Sequence, residues 1–114
     1  MAEWPDSWMG SEKDLLPGEQ LVGCFRLFCE RLIMTNPTRK TVQKHINNLW
    51  LLGGEVIRDL NEDGKLRKIP TEMLLLKVLD VDGGPLIHNG SEEEQRSFDS
   101  TCRKLYRYLT DPTR

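Results

Sequence analysis

The residues best suited by type and spacing to chemistry stand together in this chain. Asp59, Asn61 and Asp63, followed by Gly64, have the spacing of the first, third, fifth and sixth positions of a calcium-binding loop. Such a loop gathers acidic and amide oxygens around a hard cation, turns at the glycine and closes with a bidentate glutamate at its twelfth position. Counted from Asp59, that position is Pro70, which has no side-chain oxygen, and Arg67 and Lys68 bring positive charge to the place of the cation. Half a motif of this kind arises easily by chance. The run Asn61-Glu62-Asp63-Gly64 is therefore expected to end a helix, with Gly64 in the left-handed conformation past the last turn.

Other chemistry finds less support. The histidines are His45, inside a long helical pattern, and His88, in a glycine-rich loop with Asp80 and Asp82 nearby. A histidine oriented by a carboxylate is the usual core of acid–base catalysis, so a small enzyme working at His88 is a third reading, behind two binding readings. Neither histidine stands in a recognisable nucleophile motif. Cys24, Cys29 and Cys102 show no C-x-x-C spacing and there is no H-x-x-x-H pair, so no zinc or other metal is expected. Their odd number argues against a disulfide framework, and Cys24 and Cys102 fall on predicted apolar helix faces. Gly83-Gly84-Pro85 lacks the lysine and the following helix of a phosphate-binding loop. No catalytic residue and no cofactor is expected.

Charge is more informative. The 114 residues carry a formal charge of −2, which argues against a chain that grips nucleic acid with its whole surface but leaves room for a local basic face. Cations gather as Arg39, Lys40 and Lys44, as Lys65, Arg67 and Lys68, and as Arg103, Lys104 and Arg107. The last group fits the ordinary task of complementing the negative C-terminal end of a helix dipole. Arg39 and Lys40 stand at a predicted helix N-terminus, where positive charge opposes the dipole, so stability alone does not favour them there. A phosphate received by Thr38 and the free N–H groups of that helix start would reverse the sign of the argument.

The elements that position these residues read as helices. No apolar run approaches the roughly 20 residues that cross a bilayer, and the first 14 residues lack the basic and apolar regions of a secretion signal, so a cytoplasmic protein is expected. Residues 1–14, with Trp4, Pro5, Trp8 and Gly10, have no helical or strand period and are expected to form an irregular N-terminal arm whose tryptophans lie on the core or on a partner. Residues 15–110 are expected to form one all-α bundle of four main helices, at about 17–34, 39–60, 71–80 and 92–109, with a tail at 111–114. The first carries the apolar stripe Leu21, Cys24, Phe25, Phe28 and Leu32. The second, capped by Thr38, carries Val42, Ile46, Leu49, Gly53, Val56 and Leu60, with Trp50, Leu51 and Ile57 apolar on its other sides. Gly53-Gly54 costs that helix about 1 kcal/mol per glycine relative to alanine, which predicts a neighbouring helix crossing closely there. The third, around Met73 to Leu79, is apolar nearly all round. An extended loop with a short bridge at Leu86-Ile87 leads to the fourth, which opens with the capping box Ser91/Glu94 and buries Phe98, Cys102, Leu105 and Leu109.

The capped start "PTRKTVQKHINNLWLLGG", preceded by "LVGCFRLFCERLI", resembles the N-terminal core-binding domain of tyrosine recombinases and phage integrases, the SAM-like integrase N-terminal domain. Thr38, Lys40 and Thr41 match that family's Ser/Thr-x-Lys-Thr helix start. The last helix, "QRSFDSTCRKLYRYL", is similar to the closing helix of the same bundle, and the resemblance covers residues 15 to 109. It implies a stand-alone module that contacts the backbone of double-stranded DNA through Thr38, Arg39, Lys40, Thr41, Gln43 and Lys44, with Arg103 and Arg107 on the last helix in support. The family's catalytic domain is absent, so strand cleavage is not implied and Tyr106 and Tyr108 are not nucleophiles. The second binding reading is a module for contact with a protein partner or with itself, using Trp4, Trp8, Trp50 and the apolar third helix.

Overall fold

Helices form in this chain where a cap meets an apolar stripe. The computed structural model describes residues 1–87 and 89–114. It contains α1 Trp4–Trp8, α2 Leu15–Ile33, α3 Arg39–Glu62, α4 Thr71–Val78 and α5 Glu92–Thr110, with 3₁₀ turns at Glu12–Asp14 and Gly64–Lys68 and no strand among the described residues. The Thr38 hydroxyl starts α3 by accepting from the Thr41 N–H at 3.1 Å. At the start of α5 the Ser91 hydroxyl accepts from the Glu94 N–H at 3.1 Å, and the Glu94 carboxylate accepts from the Ser91 N–H at 3.3 Å. Asn36, at φ 57°, turns the chain out of α2 ahead of Pro37.

The apolar stripes meet in one core. Phe25, Leu49, Leu52, Leu75, Phe98 and Leu105 lie at its centre, each wholly buried. On α2 the stripe is turned slightly from the expected one: Val22 and Cys29 are buried with Leu21, Phe25, Phe28 and Leu32, whereas Cys24 is half-buried. On α5 the expected Phe98, Cys102, Leu105 and Leu109 are all buried. Helix α4 buries Leu74 and Leu75 and exposes Met73, so its apolar circumference is only partly used. The radius of gyration, 13.5 Å, matches the roughly 13 Å of one folded domain of this length.

The N-terminal segment departs from the irregular arm that was expected. Residues 4–8 form α1, with Pro5 in its first turn, a place where the missing N–H costs nothing. One turn and a half is too short to show a period in sequence. A buried charge holds the segment down. Asp14 is fully buried, and its carboxylate accepts from the N–H groups of Gly10 at 2.7 Å and Ser11 at 3.1 Å, from the Asn61 amide at 3.1 Å and from the Arg67 guanidinium at 2.7 Å. Burial alone would raise its pKa, but the hydrogen bonds from Asn61, Arg67, Gly10 and Ser11 outweigh that and hold it at about 2.

Gly53, where a neighbouring helix was expected to come close, is met by α1, whose Trp8 side chain fills the space. The Trp8 indole lies on its Cα, in the space a Cβ would need. Trp8 Nε1 donates to the Trp50 carbonyl at 2.9 Å, and Trp50 Nε1 donates to the Ser7 hydroxyl at 3.0 Å. Two further expectations are corrected. Gly64 is not left-handed: Asp63 ends α3 in an extended conformation and caps the next 3₁₀ turn, its carboxylate accepting from the Lys65 N–H at 3.1 Å. The bridge in the following loop joins Asp80 to Gly83 rather than lying at Leu86-Ile87, because the Asp80 carboxylate accepts from the N–H groups of Asp82 and Gly83 and folds a tight turn. There Gly83 takes φ 155° against the Asp99 side chain, with no space for a Cβ.

Two glycine substitutions have opposite expected signs. Gly53→Ala collides with the Trp8 indole and is expected to cost about 1–3 kcal/mol. Gly23→Ala, mid-helix with nothing near the new methyl, is expected to add about 0.5–1 kcal/mol. Urea denaturation of both variants checks the pair. The depressed pKa of Asp14 predicts an acid window as well. Stabilisation of about 2 kcal/mol is fully present above about pH 4 and is lost as pH falls through about 2. Asp14→Asn should lower the urea midpoint at neutral pH and flatten its fall across that window.

Candidate nucleic-acid interface

The site is built on the seam between α3 and α5. His45, only 1% exposed, shares a hydrogen bond of 2.6 Å between its Nδ1 and the Thr101 hydroxyl. One turn along α3, the Asn48 amide donates to Thr101 Oγ1 at 2.9 Å and to the Ser97 carbonyl at 3.0 Å. As α3 advances from His45 to Asn48, its partners recede from Thr101 to Ser97, so the two helices run antiparallel in one fixed register. Outside this buried knot, Lys44 Nζ lies 3.5 Å from Ser100 Oγ. Lys44 is thereby placed one helical turn from Lys104 and two from Arg107 along α5.

The same packing brings in the end of α2. Phe28 meets Tyr108 edge-on at 5.7 Å, and Arg31 lies 5.6 Å over the Tyr108 ring with Asp111 at 3.6 Å. Arg31, Lys104, Arg107 and Thr35 thus border one cleft floored by Phe28 and Leu32. Lys44 of α3 approaches α5 at Ser100, one turn from Lys104, and Lys104 and Arg107 share that cleft with Arg31 of α2. There is no acidic residue from 31 to 54 or from 100 to 110, which is the signal in the sequence that marks this face. Arg39, Lys40, Lys104 and Arg107 are exposed and make no hydrogen bond or ion pair among the described residues.

The residues expected to bind DNA divide into two groups. Thr38 is spent on its cap, since its hydroxyl also donates to Thr41 Oγ1 at 2.9 Å. Arg39, Lys40, Gln43 and Lys44 point outward along α3, with the Gln43 amide donating to Asn47 Oδ1 at 2.8 Å. Arg107 stands near them across the seam, but Arg103 donates to the Asp82 carbonyl at 3.2 Å and belongs to the 80–84 turn. Arg31 and Lys104, neither among the expected contacts, line one cleft with Arg107. His45 and Asn48, which fix the register, were not expected to be buried, because polar residues on a helix read as surface.

The other expected sites serve structural ends. Asn61, from the half calcium motif, donates to Asp14 and to the Ile57 carbonyl at 3.0 Å, and Arg67 fills the space between Asp14 and Asn61 with its own positive charge. Among the described residues no three His, Cys, Asp or Glu side chains converge as a metal site. Trp4 and Trp8 stack on each other at 5.7 Å and fasten α1, and Trp50, 42% exposed, is held by Ser7. His88 lies outside the described residues, so the third reading has no geometry to examine. No helix among the described residues is long and apolar enough to cross a membrane. No family model, curated protein or solved structure matches the chain.

Burial lowers the pKa of His45 from 6.5 to about 4, with the charges of Lys44 and Lys104 acting the same way. A histidine held neutral in the fold stabilises it fully above about pH 6.5, and that contribution is lost as pH falls from there through about 4. Stability should therefore decline over this window in the unmodified protein. His45→Gln should decline less, and urea midpoints measured between about pH 7 and 4.5 check this.

Proposed function

We propose that the chain is a non-catalytic DNA-binding module that contacts the duplex backbone through the start of α3. The observation that carries this reading is the cation field itself. Arg39, Lys40 and Lys44 stand on the first two turns of α3, Lys44 reaches Ser100 of α5 one turn from Lys104 and two from Arg107, and apart from Lys44 none of these five side chains has a hydrogen-bond or ion-pair partner among the described residues. Like charges held together without counter-charge cost stability, a cost that a polyanion removes. The amides of Gln43 and Asn47 on the same helix are exposed, and their polar atoms beyond the Gln43–Asn47 hydrogen bond can bond sugar or phosphate oxygens. The resemblance of the sequence to the integrase core-binding domain supports a contact through the same helix start.

A second reading, contact with a protein or another copy, now draws on different residues from those first expected. The tryptophans are partly buried in the fold, whereas Leu16, Leu27 and Ile33 on α2 and Met34 just after it are exposed by 57 to 83%.

Salt separates the two. Binding to a labelled duplex, followed by fluorescence anisotropy, should weaken about 10²–10³-fold between roughly 50 and 200 mM salt if some five phosphates are contacted. An Arg39→Glu/Lys40→Glu/Lys44→Glu variant should lose binding yet stay folded, because acidic residues suit a helix N-terminus. Absence of binding at low salt, or binding unchanged in the variant, sinks the DNA reading.

A further inference from the structure

The cleft between the C-terminal halves of α2 and α5 has a volume of about 220 Å³ and an uneven charge. Three cations line it, Arg31, Lys104 and Arg107, against one acid, Asp111. Arg31 is already engaged, paired with Asp111 at 3.6 Å and laid over Tyr108 at 5.6 Å, which fixes its guanidinium in place. Thr35 at the rim spends its hydroxyl on the Leu32 carbonyl at 2.7 Å. Lys104 and Arg107 remain unpartnered on the same wall, one turn apart, where their mutual repulsion opposes folding. Each complements the dipole of α5 only weakly, since a helix end carries about half a charge. A concavity with apolar walls, here Phe28, Leu32 and Tyr108, focuses such a field inward.

A diester phosphate inside a strand carries one negative charge and has chain leaving it on both sides, a shape suited to the open face around Lys40 and Lys44. A terminal phosphate monoester carries about −1.5 to −2 near neutral pH and has chain on one side only. The second shape and charge suit a recess with two free cations. Resting on the DNA reading above, we infer that this cleft seats the terminal phosphate of a nucleic-acid strand, with Lys104 and Arg107 bonding its oxygens while the adjoining backbone passes over Lys44 and the start of α3. The module would then prefer phosphorylated strand ends to continuous duplex.

The experiment compares, on the full chain, three duplexes of one sequence bearing a 5′-phosphate, a 3′-phosphate or only hydroxyl ends. One phosphorylated form should bind roughly tenfold to a hundredfold more tightly, the worth of one charge-assisted hydrogen bond. Lys104→Gln/Arg107→Gln should abolish that advantage, whereas Arg39→Gln/Lys40→Gln should weaken all three duplexes alike and keep it. Inorganic phosphate, added at constant ionic strength, should erase the advantage in the unmodified protein before it displaces the hydroxyl-ended duplex. Equal, salt-sensitive binding of all three duplexes overturns the cleft and leaves the DNA reading standing. An advantage that survives Lys104→Gln/Arg107→Gln also overturns the cleft. Failure of every duplex to bind at low salt overturns both.

Discussion

The antiparallel lock between α3 and α5 is the contact on which the cation face depends. Thr101 joins His45 and Asn48 in one buried hydrogen-bonded knot, and the partners are 56 and 53 residues apart in sequence. An apolar seam tolerates sliding by small steps, because one methyl replaces another. A buried polar seam does not, since displacement leaves donors and acceptors unpaired at about 1–3 kcal/mol each. The knot therefore fixes where Lys44 stands relative to Ser100, Lys104 and Arg107. His45 Nε2 remains buried without a partner, so the lock is incomplete at an imidazole that burial first, and the charges of Lys44 and Lys104 second, hold neutral.

A second polar knot stands at the other end of α3. Asp14 ties the N-terminal segment to Asn61 and Arg67, and Trp8 rests on Gly53 between the two knots. A charge with no exposure is tolerated here because four groups bond it, one of them cationic. Together the knots divide the labour along α3. Its C-terminal half carries Glu55, Asp59 and Glu62, whereas residues 39–54 hold no acidic side chain. A chain of net charge −2 thus concentrates positive potential at one end without becoming basic overall.

Much of the architecture was legible in the sequence. The ends of α3 and α5, their caps and the apolar stripe of α5 follow from the Thr38 and Ser91 signals and the period of 3.6, and the all-α class follows with them. The departures share a cause. Gly64 was expected in the left-handed conformation past the end of α3; the helix does end there, but Asp63 caps the following 3₁₀ turn instead, a choice between two local solutions. The burial of Asp14, His45, Asn48 and Thr101 depends on partners that polarity alone does not reveal. Asn61 and Arg67, from the run that falls short of a calcium loop, bond Asp14, about fifty positions away.

What the sequence by itself determined is local: which segments become helices, where they start, and which stripe of each faces inward. These depend on hydrogen bonds four residues long, on caps three residues long and on side-chain periods of one turn. Only the tertiary structure decided that α1 exists, that its Trp8 is what comes close at Gly53, and that Arg31, Lys104 and Arg107 border one cleft while Arg103 turns to the Asp82 carbonyl. Those outcomes rest on burial and on hydrogen bonds between residues about fifty positions apart, whose energy appears only when the helices have met in register.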